Sequence, residues 1–332
     1  QEAGIRSVLC YGLQGGPQIE AGKPVDLDAL FADPETRFPD VRRIRRTALP
    51  SDEGLVTLGL ATSNLEGRPL EVARRQLELG RELGLRTITA HTAEGTLSRG
   101  EHLIQGLGEA GLLGPDLLIS HGNSLLESEL DLMAEAGTSI AASPESEMAD
   151  GWASVTGAAL ARGVQVSIGV DSVTYVRGDL FRQIRYLLSS ERSQVGRDYN
   201  ARGLVMPEMP IETQVGLELA TIGGAWAIGL DHLVGSLTPG KQADIALIRT
   251  DHLGFAPIVD PVTTVVLMAS AGDVDSVFVA GRPVKRGGCL VGVDLAAVFD
   301  GLETSRDHLV ETVRGMDLED MQAKVATMFP ME

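Results

Sequence analysis

Cysteine is almost absent: among 332 residues only Cys10 and Cys289 carry thiols, far apart and without CxxC spacing. That excludes a disulfide framework and a thiolate zinc site, and points to a reducing cytoplasm. Basic residues are scarce too. Twenty-eight Lys and Arg stand against 46 Asp and Glu, a formal net charge of −18. Such a charge repels phosphate backbones and anionic lipid, so neither nucleic acid nor a membrane surface is expected as a partner. No apolar run reaches the roughly 18 residues that a bilayer span needs. No charged segment backed by an apolar stretch marks a signal peptide. What the chain does have is apolar residues, 43% of the total and spread along its length, enough for one large core or a core plus a small module. A small neutral or cationic partner is therefore expected.

To about residue 175 the sequence repeats one pattern: a short β-rich run, a loop, then a helical stripe closed by glycine. Six runs are candidate strands, Ile5–Tyr11, Leu55–Ala61, Arg86–Ala90, Asp116–Ser120, Thr138–Ala142 and Val164–Val170. They are continuously apolar rather than alternating, as parallel strands covered on both faces are. Between them, Pro69, Leu70, Ala73 and Leu77 with Gly84, and Glu127 to Ala136 with Gly137, read as helices with their stops. The alternation predicts an α/β fold built from βα units. Six units are too few to close a (β/α)8 barrel, and Gln1 to Gly4 reads as the last turn of a helix. The expectation is therefore strands 3 to 8 of a TIM-like barrel, with an upstream segment supplying the rest. Beyond Asp171, helices are expected over Gly178–Ser189 and from Pro210 to about Gly223, separated by a polar, Arg-rich stretch. From Gly235 the rhythm becomes β, with a hairpin over Val274 to Lys285. The expected division is a barrel over 1–230, a β-sandwich module over 231–292 and a helical segment over 293–332 that packs outside or joins an oligomer, a homodimer by expectation.

Active sites of parallel barrels lie at the C-terminal ends of the strands, and three runs end in chemistry-bearing residues there: His91 followed by Glu94, His121, and Asp171. They are one and two βα units apart, so all fall on one rim. Imidazole and carboxylate suit a catalytic zinc, with His91 and Asp171 as candidate ligands. Glu94 is placed to accept and pass on a proton, and His121 to orient water or steady developing charge. A divalent ion would lower the pKa of bound water to about 7. Taken singly, each residue also has a plainer role: a capped histidine, a solvated loop carboxylate, or a helix cap in Asp171. Ser143 and Glu145, at the end of the preceding strand, are candidate substrate contacts. His102, His232, His252 and His308 are expected to be structural or solvent-facing. Gly12 to Gly16 lacks the spacing of a phosphate cradle and reads as a rim loop.

These motifs resemble the amidohydrolase superfamily, in the branch of cytosine and guanine deaminases, S-adenosylhomocysteine deaminases and triazine chlorohydrolases. The likeness spans nearly the whole chain. His91 and Glu94 match that branch's HxxE at the fifth barrel strand, His121 its sixth-strand histidine and Asp171 its eighth-strand aspartate. Gly235 to Asp244 matches its G-x-L-x-P-G-K-x-A-D signature. The resemblance implies that His91 ligates a divalent metal, zinc first with iron or manganese as alternatives, that Glu94 shuttles a proton, that His121 polarises water or substrate, and that Asp171 is ligand or base. Two departures stand out. No HxH, which the branch carries on its first strand, occurs in these residues, and the seventh-strand CPxSN is replaced by Ser143-Pro144-Glu145-Ser146-Glu147. The leading expectation is hydrolytic deamination of an amino-substituted purine, pyrimidine or triazine-like ring by metal-bound hydroxide. The same groups would serve amide, lactam or halide hydrolysis. A metal-free, non-catalytic binding protein is the reading from another class.

Overall fold

The computed structural model describes residues 4–16, 32–98, 100–320 and 322–323. The expected helical turn at Gln1 to Gly4 lies outside these residues, save Gly4 itself. All six expected strands form, as β1 (Ser7–Gly12), β2 (Val56–Ala61), β3 (Ile88–Thr92), β4 (Leu117–His121), β5 (Ser139–Ala142) and β6 (Val166–Ile168). They make one parallel sheet in the order β1-β2-β3-β4-β5-β6. Sequential order without reversal is what a barrel wall requires; a doubly wound sheet reverses at a switch point. The sheet is an open arc of that wall.

Helices α1 (Phe38–Thr47), α2 (Leu70–Glu82), α3 (Leu103–Glu109), α4 (Glu127–Ala136), α5 (Pro144–Ala149) and α6 (Thr156–Ala161) connect the strands. Their apolar stripes meet the sheet in a single core that includes Leu58, Leu60, Leu77, Ile88, Ile119, Leu130 and Ile140. At Gly80 the helix comes so close to β3 that a Cβ would run into the Ile88 side chain. Gly137, at φ 75°, ends α4 in the left-handed conformation, which glycine adopts without penalty.

After β6 the reading needs one correction. The Arg-rich stretch is not a break, because α7 runs unbroken from Leu180 to Ala201. Asp179 caps it, accepting from the N–H groups of Phe181 and Arg182. Next come α8 (Thr213–Glu218), a π turn and α9 (Gly224–Ala227). The β module holds β7 (Ile245–Ile248), α10 (Pro261–Met268), β8 (Val274–Val279), β9 (Arg282–Arg286) and β10 (Cys289–Leu290), followed by α11 (Leu295–Arg314). Among the described residues its strands form one small antiparallel sheet ordered β10-β9-β8-β7. Asp244 of the signature has a structural task. It pairs with Arg6 at 2.7 Å, with the two side chains 20% and 11% exposed, and accepts the Ala280 N–H. Burial alone would raise the Asp244 carboxyl, but these partners hold it below the usual range. No described helix is long and apolar enough to cross a membrane.

The two thiols differ sharply. Burial within β1 pushes the Cys10 thiol up to about 11, whereas Cys289 is exposed. Since the thiolate is the nucleophile, Cys289 is expected to react with a thiol reagent at pH 8 well ahead of the half-buried Cys10. Two fast equivalents in the native protein would contradict that environment for Cys10.

Candidate active site

The chemistry-bearing residues sit where the strands end. His91 is the penultimate residue of β3 and, by alternation, projects from the face opposite Ala90 and Thr92. His121 closes β4, Ser143 follows β5, and Asp171 comes three residues after β6. Among the described residues, the non-glycine positions with positive φ are Ala93 (55°), His121 (72°), Asp171 (66°) and Ala280 (49°). Three of the four lie on this one rim. Each such residue costs about 1–3 kcal/mol, and strain of this kind gathers at functional sites.

The side chains of His91, Glu94 and His121 converge, with one ligand-capable atom from each lying within 4.8 Å of the others. The two imidazole rings are 5.4 Å apart. His121 is held from both sides: Nδ1 is 3.3 Å from Glu147 Oε1 and Nε2 is 3.7 Å from Glu94 Oε1. Glu147 is 3% exposed and also accepts the Ser143 N–H at 2.6 Å and the Asn123 amide at 3.3 Å. With Nδ1 of His121 donating to Glu147, the role that the upward push of that hydrogen bond on the imidazole fits, Nε2 faces Glu94. The Glu94 loop is shaped by Glu66, whose Oε1 accepts from Thr92 Oγ1 at 2.6 Å and the Ala93 N–H at 2.7 Å. Ser98 Oγ accepts the Glu94 N–H at 2.6 Å.

The electrostatics separate the three groups. Burial pushes the Glu94 carboxyl above the carboxylate range, with Glu66, Asp171 and Asp150 adding to the effect and His121 opposing it. His91 opens to solvent on one side, yet the surrounding protein lowers its pKa, as does the charge of His121, while Asp171 opposes. Its nitrogen therefore stays unprotonated and able to ligate at neutral pH. For His121, burial acts downward but is outweighed by the Glu147 hydrogen bond and the charges of Glu147, Glu94 and Asp171, so its pKa is raised.

Two nitrogens and a carboxylate oxygen at this spacing fit a divalent metal ion. Asp171 is near enough for its charge to act on all three groups, but it stands outside the converged triad and accepts the Tyr175 hydroxyl at 2.7 Å. Ser143 is buried at the same rim, its N–H committed to Glu147. Glu145 turns to α7, where Gln183 and Arg182 take up its carboxylate. Of the remaining histidines, His102 lies 3.7 Å from Glu129 and His252 3.0 Å from Asp273, both away from this cluster. Sequence reasoning missed Glu147, Glu66, Tyr175 and Trp152, whose indole meets the His121 ring edge-to-face at 5.7 Å. Only Glu147 had left a signal, the departure from CPxSN.

A parallel-barrel rim bearing a metal-capable His and Glu cluster defines an α/β-barrel protein of the metallohydrolase kind. Residues 83–284 match the amidohydrolase family, and the chain belongs to it. It is 30% identical over 315 residues to the 8-oxoguanine deaminase of Pseudomonas aeruginosa, covering 90% of this chain and 65% of that protein. To a 5-methylthioadenosine/S-adenosylhomocysteine deaminase of Syntrophobacter fumaroxidans it is 34% identical over 213 residues, which is 62% of this chain and 46% of the relative. The chain thus spans about half to two thirds of the length of these curated relatives. An adenosine deaminase from Xanthomonas campestris, solved with bound zinc, shares the fold at a TM-score of 0.72 and 21% identity, covering 92% of this chain and 67% of that one.

Proposed function

We propose that this chain carries the site of a metal-dependent aminohydrolase that removes the amino group of a purine, pyrimidine or triazine-like ring and releases ammonia. The observation that supports it most is the convergence of His91, Glu94 and His121 on one strained barrel rim. The deaminases among the relatives support the same reading. From the converged group His91 is a proposed ligand, joined by Asp171, whose charge acts on it from beside the cluster, while Glu94 and His121 are kept for proton transfer and charge. Zinc is the first choice, with iron or manganese also suited to such donors. When bound, the ion supplies Lewis-acid activation of water.

The protein's own groups do the rest. Glu94, its proton affinity raised by burial, is the group proposed to give a proton to a ring nitrogen, which makes the amino-bearing carbon electrophilic. His121, fixed through Nδ1 by Glu147, presents Nε2 toward the reacting carbon and steadies the charge that develops there. Asp171, one oxygen steadied by the Tyr175 hydroxyl, takes a proton from the attacking water and passes it to the amino group, which leaves as ammonia when the C–N bond breaks. Glu94 regains its proton from the new hydroxyl as that oxygen becomes the ring carbonyl. Ser143 is the proposed substrate contact at the end of β5. The acidic surface favours a small neutral or cationic ligand over nucleic acid, and a cytoplasmic homodimer is the proposed state.

The test is ammonia release from adenosine, guanine, cytosine and melamine by the chain supplied with zinc. Ammonia from at least one ring, lost in His91→Ala, is expected. No ammonia from any of them, together with chloride from a chlorotriazine or acid from an amide, would replace this reading.

A further inference from the structure

We infer that Trp152 is the wall against which the substrate's planar ring lies, and so the residue that selects flat heterocycles over saturated amines. The inference rests on the reading of this site as one for an amino-substituted ring, and names what chooses that ring.

Trp152 follows α5 after a turn through Gly151 at φ 76°, and its backbone N–H donates to the Glu147 carbonyl at 2.8 Å. The short helix that brings Glu147 to His121 therefore also fixes the indole. The ring stands edge-to-face on His121, with centroids 5.7 Å apart and planes at 80°. Its five-membered side rests on the backbone just after Glu94: a Cβ on Gly95 would lie 2.5 Å from Trp152 Cδ1 and 2.6 Å from Nε1. Trp152 is thus wedged between the two loops that present Glu94 and His121. A ring within hydrogen-bond reach of those residues comes within the roughly 4.5–7 Å centroid range of aromatic pairing.

The indole is only half buried, and among the described residues its N–H has no hydrogen-bond partner. Tryptophan usually satisfies that donor within the protein when packed as a prop. A half-buried indole with a spare donor, beside two groups able to move protons, offers the contacts that the face and edge of a nitrogen heterocycle use. The carboxylates of Glu66, Asp150 and Asp171, whose charges act on Glu94, favour a neutral or cationic ring over an anionic one.

The experiment reads tryptophan emission of the full chain titrated with adenosine, guanine, cytosine and melamine, and with cyclohexylamine as the saturated control. Saturable quenching by at least one planar probe, absent with cyclohexylamine and lost in Trp152→Phe, whose remaining indole is Trp226, is expected. In Trp152→Ala the KM for the ring that is turned over should rise about tenfold, within the range that losing one base-on-aromatic stack gives. Equal quenching in Trp152→Phe, no quenching by any planar probe, or a loss in Trp152→Ala confined to kcat overturns the inference and leaves Trp152 a prop for the Glu94 loop. Quenching without ammonia release keeps the wall and sinks the deaminase reading. Ammonia release without quenching does the reverse.

Discussion

Glu94→Gln is expected to lower kcat by about a hundredfold to ten-thousandfold, the usual contribution of a positioned proton-transfer group. The amide keeps the shape and the hydrogen-bonding edge of the carboxyl but can neither hold nor release the proton that the reaction moves. Stability should change in the opposite sense, and with pH. The folded protein raises the proton affinity of Glu94, chiefly by burial, so folding favours the neutral form. A raised carboxyl contributes its stability below the unfolded-state pKa and loses it as pH rises through the folded one. Glutamine is never charged and escapes that loss. In the metal-free chain the variant should therefore melt at or above wild type at pH 8, with the difference shrinking toward pH 4. Thermal melts across that range, beside kcat at one pH, check both halves. A variant that loses activity and also melts well below wild type at pH 8 would mean that Glu94 holds the fold together rather than moving protons.

The histidines of the site were legible in the sequence for a simple reason: each ends an apolar run, so strand and polar terminus are read together. Asp171 was legible the same way. What remained hidden was set by contacts that no periodicity records. Glu66 shapes the Glu94 loop from a different loop, after β2, through hydrogen bonds to Thr92 and Ala93. Glu145 and Glu147 are two residues apart on one short helix, which at 3.6 residues per turn sends them to roughly opposite sides. That rotation gives Glu145 to Arg182 and Glu147 to His121. The length of α7 was hidden because its buried face carries Gln183 and Glu191 among the leucines. Glu191 is satisfied there by the Gly157 N–H at 2.9 Å, so burial continues where apolar periodicity stops.

Glu147→Ala is expected to be the most destabilising change at the site, costing about 3–5 kcal/mol, the range for removing one partner of a buried ion pair. Three donors face that carboxylate: His121 Nδ1, the Ser143 N–H and the Asn123 amide. Removing it orphans His121 Nδ1 and the Ser143 N–H in a place water reaches poorly, each at a cost of about 1–3 kcal/mol, while the Asn123 amide keeps the Ala153 carbonyl at 2.7 Å. Glu147→Gln retains an acceptor for the Ser143 N–H and nearly the same volume, so its cost should be smaller. The two variants separate packing from charge. Both should slow turnover, because His121 loses the partner that turns Nε2 toward Glu94, and glutamine, with no net charge, restores the shape without restoring that hold. Calorimetric melting should rank wild type above Glu147→Gln and Glu147→Ala last. A Glu147→Ala protein that melts with wild type would show that the buried carboxylate costs as much to desolvate as its hydrogen bonds return, and His121 would then owe its orientation to the strained end of β4 together with Glu94 and Trp152.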